Sequence, residues 1–475
     1  MCPWQETRNE SSSEKSAPDP GAPVQEPMQV AQTEPIYKGE LMQESLPPPL
    51  LLVGLDWGSQ NHQFCILDPT GKKLEEGVLP NEANALEAWL NKLLARLAGQ
   101  ADRIAVAIET PRGVLVETCL DRGFAVHSIN PKQLDRLRDR YYPSGAKDDR
   151  RDAFILAESL RTDPNFFRLV IADDPVVLRL RELSRHDETV TTDFVRISNQ
   201  FRDQLARYYP QLLGLCPSAN ETWLWALLQL APTPTLGAKL TRKKITTVLT
   251  EHRIRRVSTD QVQAALRATG FALIPGSAAA HSERALLMID SLKLLHKQHK
   301  DLGRRLENIL ESLSAEVPQI LHQSDASIIL SLPGIGTRVA ATLLAEASGA
   351  LQLRDYRALR IFAGAAPVTR QSGKSREVSI RRSCNARLRQ ALFHWSMISY
   401  RHDPRNKTHY QSLRAAGHSH GRALRGIADR NLKMLCSMLA SGSTYDPALR
   451  AAPTEPEISN PIVAPRKTAK ELAER

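Results

Sequence analysis

From residue 50 onward the apolar positions change period along the chain. Leu51-Leu52-Val53-Gly54-Leu55-Asp56 is a continuous apolar run that ends on an acid, the pattern of a buried strand. His62–Leu67 predicts a second strand, Asp68-Pro69-Thr70-Gly71 a hairpin turn, and Lys73–Leu79 a third strand. Leu86, Trp89, Leu90, Leu93, Leu94 and Leu97 then recur at helical spacing over 84–97. Ile104–Ile108 predicts another buried strand, Val114–Leu120 a short helix, and Phe124–Ile129 a further strand. Helices follow over 131–141 and 149–160.

The order β-β-β-α-β-α-β-α predicts an α/β domain over 50–163, with a hairpin on one side of a mixed sheet, as in the ribonuclease-H-like fold. The period then lengthens. Val176, Leu180, Leu183, Asp187, Val190, Phe194, Ile197 and Phe201 are alternately four and three residues apart. Met288, Leu292, Leu295, His299, Leu302, Leu306, Ile309 and Leu313 repeat the pattern. Two such heptad helices predict a coiled-coil region over 164–325, as an antiparallel hairpin or as a dimer. Asp187 and His299 interrupt the seams as register devices. Between the helices, 214–281 reads as a small helical insert. A mainly α unit is expected over 326–448, and Leu332-Pro333-Gly334-Ile335-Gly336 within it resembles a helix-hairpin-helix turn. Glycines such as Gly334 and Gly336 let backbone N–H groups approach a phosphate.

Composition adds the two ends. Residues 1–49 hold nine prolines and eight acids against three Lys/Arg, with too little apolar surface to fold, and 449–475 is similar in character. The six cysteines are scattered without a C-x-x-C pair, so neither a disulfide framework nor a zinc site is indicated, and a reducing cytoplasm fits. No apolar run reaches the roughly 20 residues that span a bilayer, so no membrane partner is expected.

Charge points to a polyanion. The formal net charge is +11. Between Thr369 and Arg430 fourteen Lys/Arg face only Glu377, Asp403 and Asp429. Such density predicts salt-sensitive binding to DNA or another nucleic acid. Arg370, Lys374, Arg376, Arg381, Arg382, Arg387 and Arg389 are the candidate DNA-binding cations, with Gly334 and Gly336 beside them.

Two sets of residues carry candidate chemistry. Asp56 and Glu109 each end a buried strand, and Asp149 and Asp152 lie three apart at a helix start, where both can project from one face. An acid after a strand also serves as a loop or helix cap. Four acids converging on one sheet edge would repel one another, and a hard divalent cation such as Mg2+ relieves that repulsion. Two such ions can clamp the oxygens of a phosphoryl transfer. The second set is Gln371-Ser372-Gly373-Lys374-Ser375-Arg376, where a serine on a glycine loop among cations offers a nucleophile for a phosphodiester.

Taken together, Val53-Gly54-Leu55-Asp56, Ile108-Glu109-Thr110, Ile129-Asn130-Pro131, Ala146-Lys147-Asp148-Asp149-Arg150-Arg151-Asp152-Ala153, Leu332-Pro333-Gly334-Ile335-Gly336 and Gly364-Ala365-Ala366-Pro367 leading to Ser372-Gly373 resemble one family. It is the insertion-sequence transposases numbered one hundred and ten, with their relatives numbered one hundred and sixteen and nine hundred and two. Asn385 and Leu388-Arg389 fit its Gly-Asn-x-x-Leu-Arg stretch. The resemblance spans about residues 50–445. It implies a RuvC-like N-terminal domain whose DEDD set, here Asp56, Glu109, Asp149 and Asp152, binds Mg2+. It also implies a serine nucleophile at Ser372 that forms a phosphoserine link to DNA, assisted by a partner subunit's metal site. A homo-oligomer (dimer or tetramer), a noncoding bridge RNA that pairs with donor and target DNA, and a bacterial cytoplasmic setting on the nucleoid follow from the same resemblance. Three positions depart from it: Asp148 replaces the usual Thr, Cys384 the usual Gly, and Ala365-Ala366 the more usual Leu-x. The competing expectations are a Holliday-junction-type nuclease, in which the carboxylates activate water and Ser372 is a loop residue, and a nucleic-acid-binding scaffold without chemistry.

Overall fold

The computed structural model describes residues 46–141, 148–172, 174–315, 324–373 and 375–447. Residues 1–45 and 448–475, which take in nearly all of both predicted tails, lie outside that set, as do Ala146-Lys147 and Lys374.

The N-terminal unit is a six-stranded sheet in the order β3-β2-β1-β4-β5-β6. Its strands are β1 (Leu51–Asp56), β2 (Asn61–Leu67), β3 (Lys73–Pro80), β4 (Ile104–Ile108), β5 (Ala125–Ser128) and the short β6 (Arg168–Leu169). β1, β2 and β3 run antiparallel, and β1, β4 and β5 run parallel. The two-residue β6, antiparallel to β5, has no signature in the apolar pattern. Helices α1 (Ala83–Arg96) and α2 (Val114–Asp121) cover one face of the sheet, and α3 (Pro131–Tyr141) and α4 (Asp149–Thr162) cover the other.

Strand alternation sorts β1 between these two layers. Leu51, Val53 and Leu55 enter the core under α1 and α2, while Leu52 enters the core under α3 and α4. Gly54 and Asp56 share the α4 face with Leu52. At Gly54 the helix comes so close that an added Cβ would stand 1.9 Å from the Ala153 carbonyl oxygen and 2.6 Å from the Ala157 nitrogen. Only glycine allows this approach, and it fixes α4 against the strand that ends in Asp56.

The two heptad helices are α5 (Pro175–Tyr208) and α10 (Ser277–Ala315). They pair within the chain. Gln204 bonds His281, Phe194 packs on His296, and Thr191 Oγ1 lies 3.2 Å from His299 Nδ1, so residue numbers rise on one helix as they fall on the other. This is the antiparallel hairpin of the two arrangements open to the heptads. The predicted insert at its tip consists of α6 (Thr222–Leu230), α7 (Pro234–Ala238), α8 (Arg242–Glu251) and α9 (Thr259–Arg267). It closes over Trp223 and Trp225, both fully buried in a core shared with the adjoining ends of α5 and α10.

The C-terminal unit comprises α11 (Asp325–Ser331), α12 (Thr337–Glu346), α13 (Ser348–Gln352), α14 (Tyr356–Phe362), the hairpin β7 (Val368–Ser372) and β8 (Ser375–Ser379), then α15 (Ala386–His402), α16 (Pro404–Ala415) and α17 (His420–Ser441). Its core is continuous with Leu180 of α5 and with Leu306, Ile309 and Leu310 of α10, so this end of the long hairpin is built into the unit.

Candidate functional site

Three of the four predicted acids meet. One carboxylate oxygen each from Asp56, Asp149 and Asp152 lie within 4.8 Å of one another. The local sequence explains each placement. Asp56 is the last residue of β1 and follows the Gly54 contact. Asp149 opens α4, whose N-cap is Asp148: its carboxylate accepts the Arg150 backbone N–H at 3.1 Å. Asp152 follows one turn later. Both acids therefore sit in the first turn, where the helix macrodipole favours negative charge. Glu109 follows Ile108, the register partner of Leu55, and so stands one strand over from Asp56. Its carboxylate is not among the three that are grouped.

Asp152 is 2% exposed. A buried carboxylate needs a partner, and Arg138 of α3 provides it. Arg138 Nε and Nη2 donate to the two Asp152 oxygens, each at 2.7 Å, while Nη1 donates to Asp135 at 2.7 Å. Nothing in the sequence motifs marked this arginine. The available signal was its place on a predicted helix that runs into the acidic segment.

The donor set is oxygen-only and anionic. It suits a hard divalent cation that takes oxygen ligands at about 2 Å, and it is unsuited to a soft ion that prefers thiolate or imidazole.

Ser372 ends β7 and faces Ser375 of β8 across the Gly373 turn. It is exposed, with its hydroxyl outside any core. Arg370 of the same strand and Arg382 are also exposed. The other predicted DNA-binding cations are engaged within the chain to differing degrees. Arg381 donates to the Ala366 carbonyl at 3.3 Å, and Arg389 reaches Cys384 Sγ at 3.5 Å. Arg387 is turned inward, bonding Ser184 Oγ at 2.9 Å and pairing with Glu188 at 3.1 Å and Glu346 at 3.4 Å. Lys374 and the Arg376 side chain lie outside the described set. The Pro-Gly-Ile-Gly turn joins α11 to α12 and packs on α15. Gly334 has φ +83, a conformation that side chains disfavour, and a Cβ there would meet the Ser399 nitrogen at a tight 3.0 Å, so the local fold accounts for the glycine. Gly336 is the N-cap of α12 and faces open space.

Residues 53–210 match a family described as transposase, of the DEDD IS110 type, and residues 326–411 match the transposase family IS116/IS110/IS902. The mini-circle transposase candidate for IS117 of Streptomyces coelicolor is 31% identical over 84% of this chain and 96% of its own length. The chain belongs to the IS116/IS110/IS902 transposase family. A transposase candidate of Sinorhizobium fredii is 42% identical to this family member, over half of the chain and 65% of that protein. An IS110 element protein of Streptomyces coelicolor is 27% identical over 84% of the chain. Among the described residues no helix of the transposase is long and apolar enough to cross a membrane.

One departure from the family pattern is explained by the geometry. Asp148, where Thr is usual, caps α4, and Asp and Thr both accept an N-cap hydrogen bond. A second residue absent from the motif reading is Glu346, at the end of α12. Its side chain is 1% exposed, and Arg185 Nε and Asn385 Nδ2 each donate to it at 2.9 Å. Burial works against the ionised form, yet these hydrogen bonds and the charges of Arg185 and Arg112 hold its carboxyl below the usual range.

Proposed function

We propose that this transposase cuts and rejoins DNA of an insertion sequence. In this reading Asp56, Asp149 and Asp152, joined by Glu109, hold Mg2+, and Ser372 supplies the nucleophile. The convergence of three carboxylates at the edge of the sheet supports it most directly. When bound there, a divalent ion would polarise the phosphodiester and offset the charge that builds on its oxygens. Ser372 Oγ attacks phosphorus and gives up its proton. A phosphoserine bond forms, the P–O bond to one strand end breaks, and that end leaves as a hydroxyl. Attack by the hydroxyl of a second strand reverses the step, frees the serine and joins the strands without an external energy source. Arg370 and Arg382, with Lys374 and Arg376, bind the backbone phosphates of element and target. A bridge RNA paired to both DNAs, and a homo-oligomer in which one subunit's serine meets another's carboxylates, complete the proposal. The setting is the bacterial nucleoid.

Substitution at the hairpin separates this from hydrolysis by the carboxylates alone. Ser372→Ala should abolish both strand exchange and the covalent protein–DNA adduct, and Ser375→Ala, directly across the turn, should retain both. Cleavage that survives Ser372→Ala would assign the chain a resolvase-like mechanism. Asp149→Asn should abolish every reaction.

A further inference from the structure

Arg138 does more than bury its side chain beside the carboxylate cluster. Its guanidinium forks onto both oxygens of Asp152, each at 2.7 Å. Asp152 is the most buried of the three grouped acids. Three anionic oxygens within 4.8 Å repel one another unless a cation stands by them, and Arg138 is a cation that the structure places on one of the three, Asp152. Its own side chain is only 17% exposed, and its remaining nitrogen is anchored to Asp135 on the same helix. A metal ion taking an Asp152 oxygen would meet both a lone pair already engaged and a positive charge held close by.

We propose that Arg138 is a stand-in cation. It neutralises and orders the cluster when no metal is bound, and it is displaced from Asp152 when a divalent ion enters. This rests on the metal-binding reading above and goes further, making ion affinity a competition between the ion and one arginine. The arrangement gives the protein a folded, quiescent metal-free state and sets the ion concentration at which the site fills. Arg138 is a positioning residue, since it acts on the site through Asp152.

The test uses the full chain without nucleic acid and Mn2+ as a spectroscopic probe, with free Mn2+ read by electron paramagnetic resonance. Arg138→Gln keeps a hydrogen-bond donor and removes the charge, and Mn2+ should bind on the order of tenfold more tightly, since unit charges at this separation shift equilibria by at least that much. Arg138→Lys keeps the charge and should stay close to the wild-type affinity. The metal-free melting temperature of Arg138→Gln should fall, and the gain on adding Mn2+ should exceed that of the wild type. Unchanged or weaker binding in Arg138→Gln overturns the proposal, as does an equal shift in Arg138→Lys. Hydrogen exchange on the wild type gives a reading that needs no variant: Mn2+ should speed exchange in 131–141, and unchanged or slower exchange there overturns the idea. A wild-type protein that binds no Mn2+ would instead refute the metal-binding reading itself.

Discussion

At the scale of single residues, one position without chemistry of its own fixes the site and another sets the acid sensitivity of the sheet. Gly54 is the first, because β1 and α4 touch where a methyl group would stand 1.9 Å from the Ala153 oxygen. Gly54→Ala must push α4 away from the strand, and Asp149 and Asp152 move with it. We expect a loss of about 1–3 kcal/mol, the usual cost of overpacking, together with loss of Mn2+ binding. Urea unfolding and metal titration of the same preparation check both. His127 on β5 is the second. It is buried, its Nδ1 has no hydrogen-bond partner, and burial pushes its pKa down to about 4. The unfolded chain takes up this proton near the ordinary value of 6.5, so between the two values the unfolded state binds more protons than the native one. Stability is therefore full above about pH 6.5 and falls toward pH 4, by about 3 kcal/mol from this residue. His127→Met should flatten that slope in unfolding curves taken at about pH 7 and pH 4.5, and an unchanged slope would place the acid sensitivity elsewhere.

At the scale of elements, α4 shows how a helix start becomes part of a site. Asp148 caps it, and the two acids that follow lie in its first turn. Asp148→Ala removes the N-cap side chain of this helix and should cost about 1 kcal/mol. Asp148→Thr restores an acceptor and should recover most of that loss, with thermal melts of the three proteins giving the order. This helix was legible in the sequence, as were the strand run into Asp56 and the long pair α5 and α10, because each is written in a local period of apolar residues. The pairing of α5 with α10 within one chain was not, since a heptad seam is the same for a hairpin and for a dimer. Arg138 was equally hidden. Its partner Asp152 lies fourteen positions away on another helix, and no periodicity records a contact between faces of two helices. The inward turn of Arg387 belongs to the same class: a count of basic residues sees a cation, and only the fold reveals Ser184, Glu188 and Glu346 around it.

At the scale of the whole molecule, buried acids that no motif announces join the C-terminal unit to the long helical hairpin and to the N-terminal sheet unit. Asp187 of α5, predicted as a register device, accepts from Arg338 Nε of α12 at 2.7 Å beside His299. Glu346 gathers more. Arg185 reaches it from α5, Arg387 and Asn385 from the start of α15, and Arg112 at 3.7 Å from the loop after β4, three residues beyond Glu109. Three arginines thus share one buried carboxylate, and its removal takes away the buried negative charge between the partly covered Arg185 and Arg387. Glu346→Ala should cost about 3–5 kcal/mol, the range for a buried pair that loses one partner. Because its carboxyl is held below the usual range, this contribution is present above the ordinary carboxylate pKa and is lost as the pH falls through the depressed value. Arg112 is half exposed, and its own pairing contributes little to stability, within about 1 kcal/mol. Its role is instead to tie the loop beside Glu109 to the C-terminal unit. Arg112→Ala should therefore leave the melting temperature nearly unchanged while hydrogen exchange rises in residues 109–113, and in a double-mutant cycle with Glu346→Gln the exchange effects should not add. Additive effects would show that the two units meet elsewhere and that Glu346 serves only the C-terminal core.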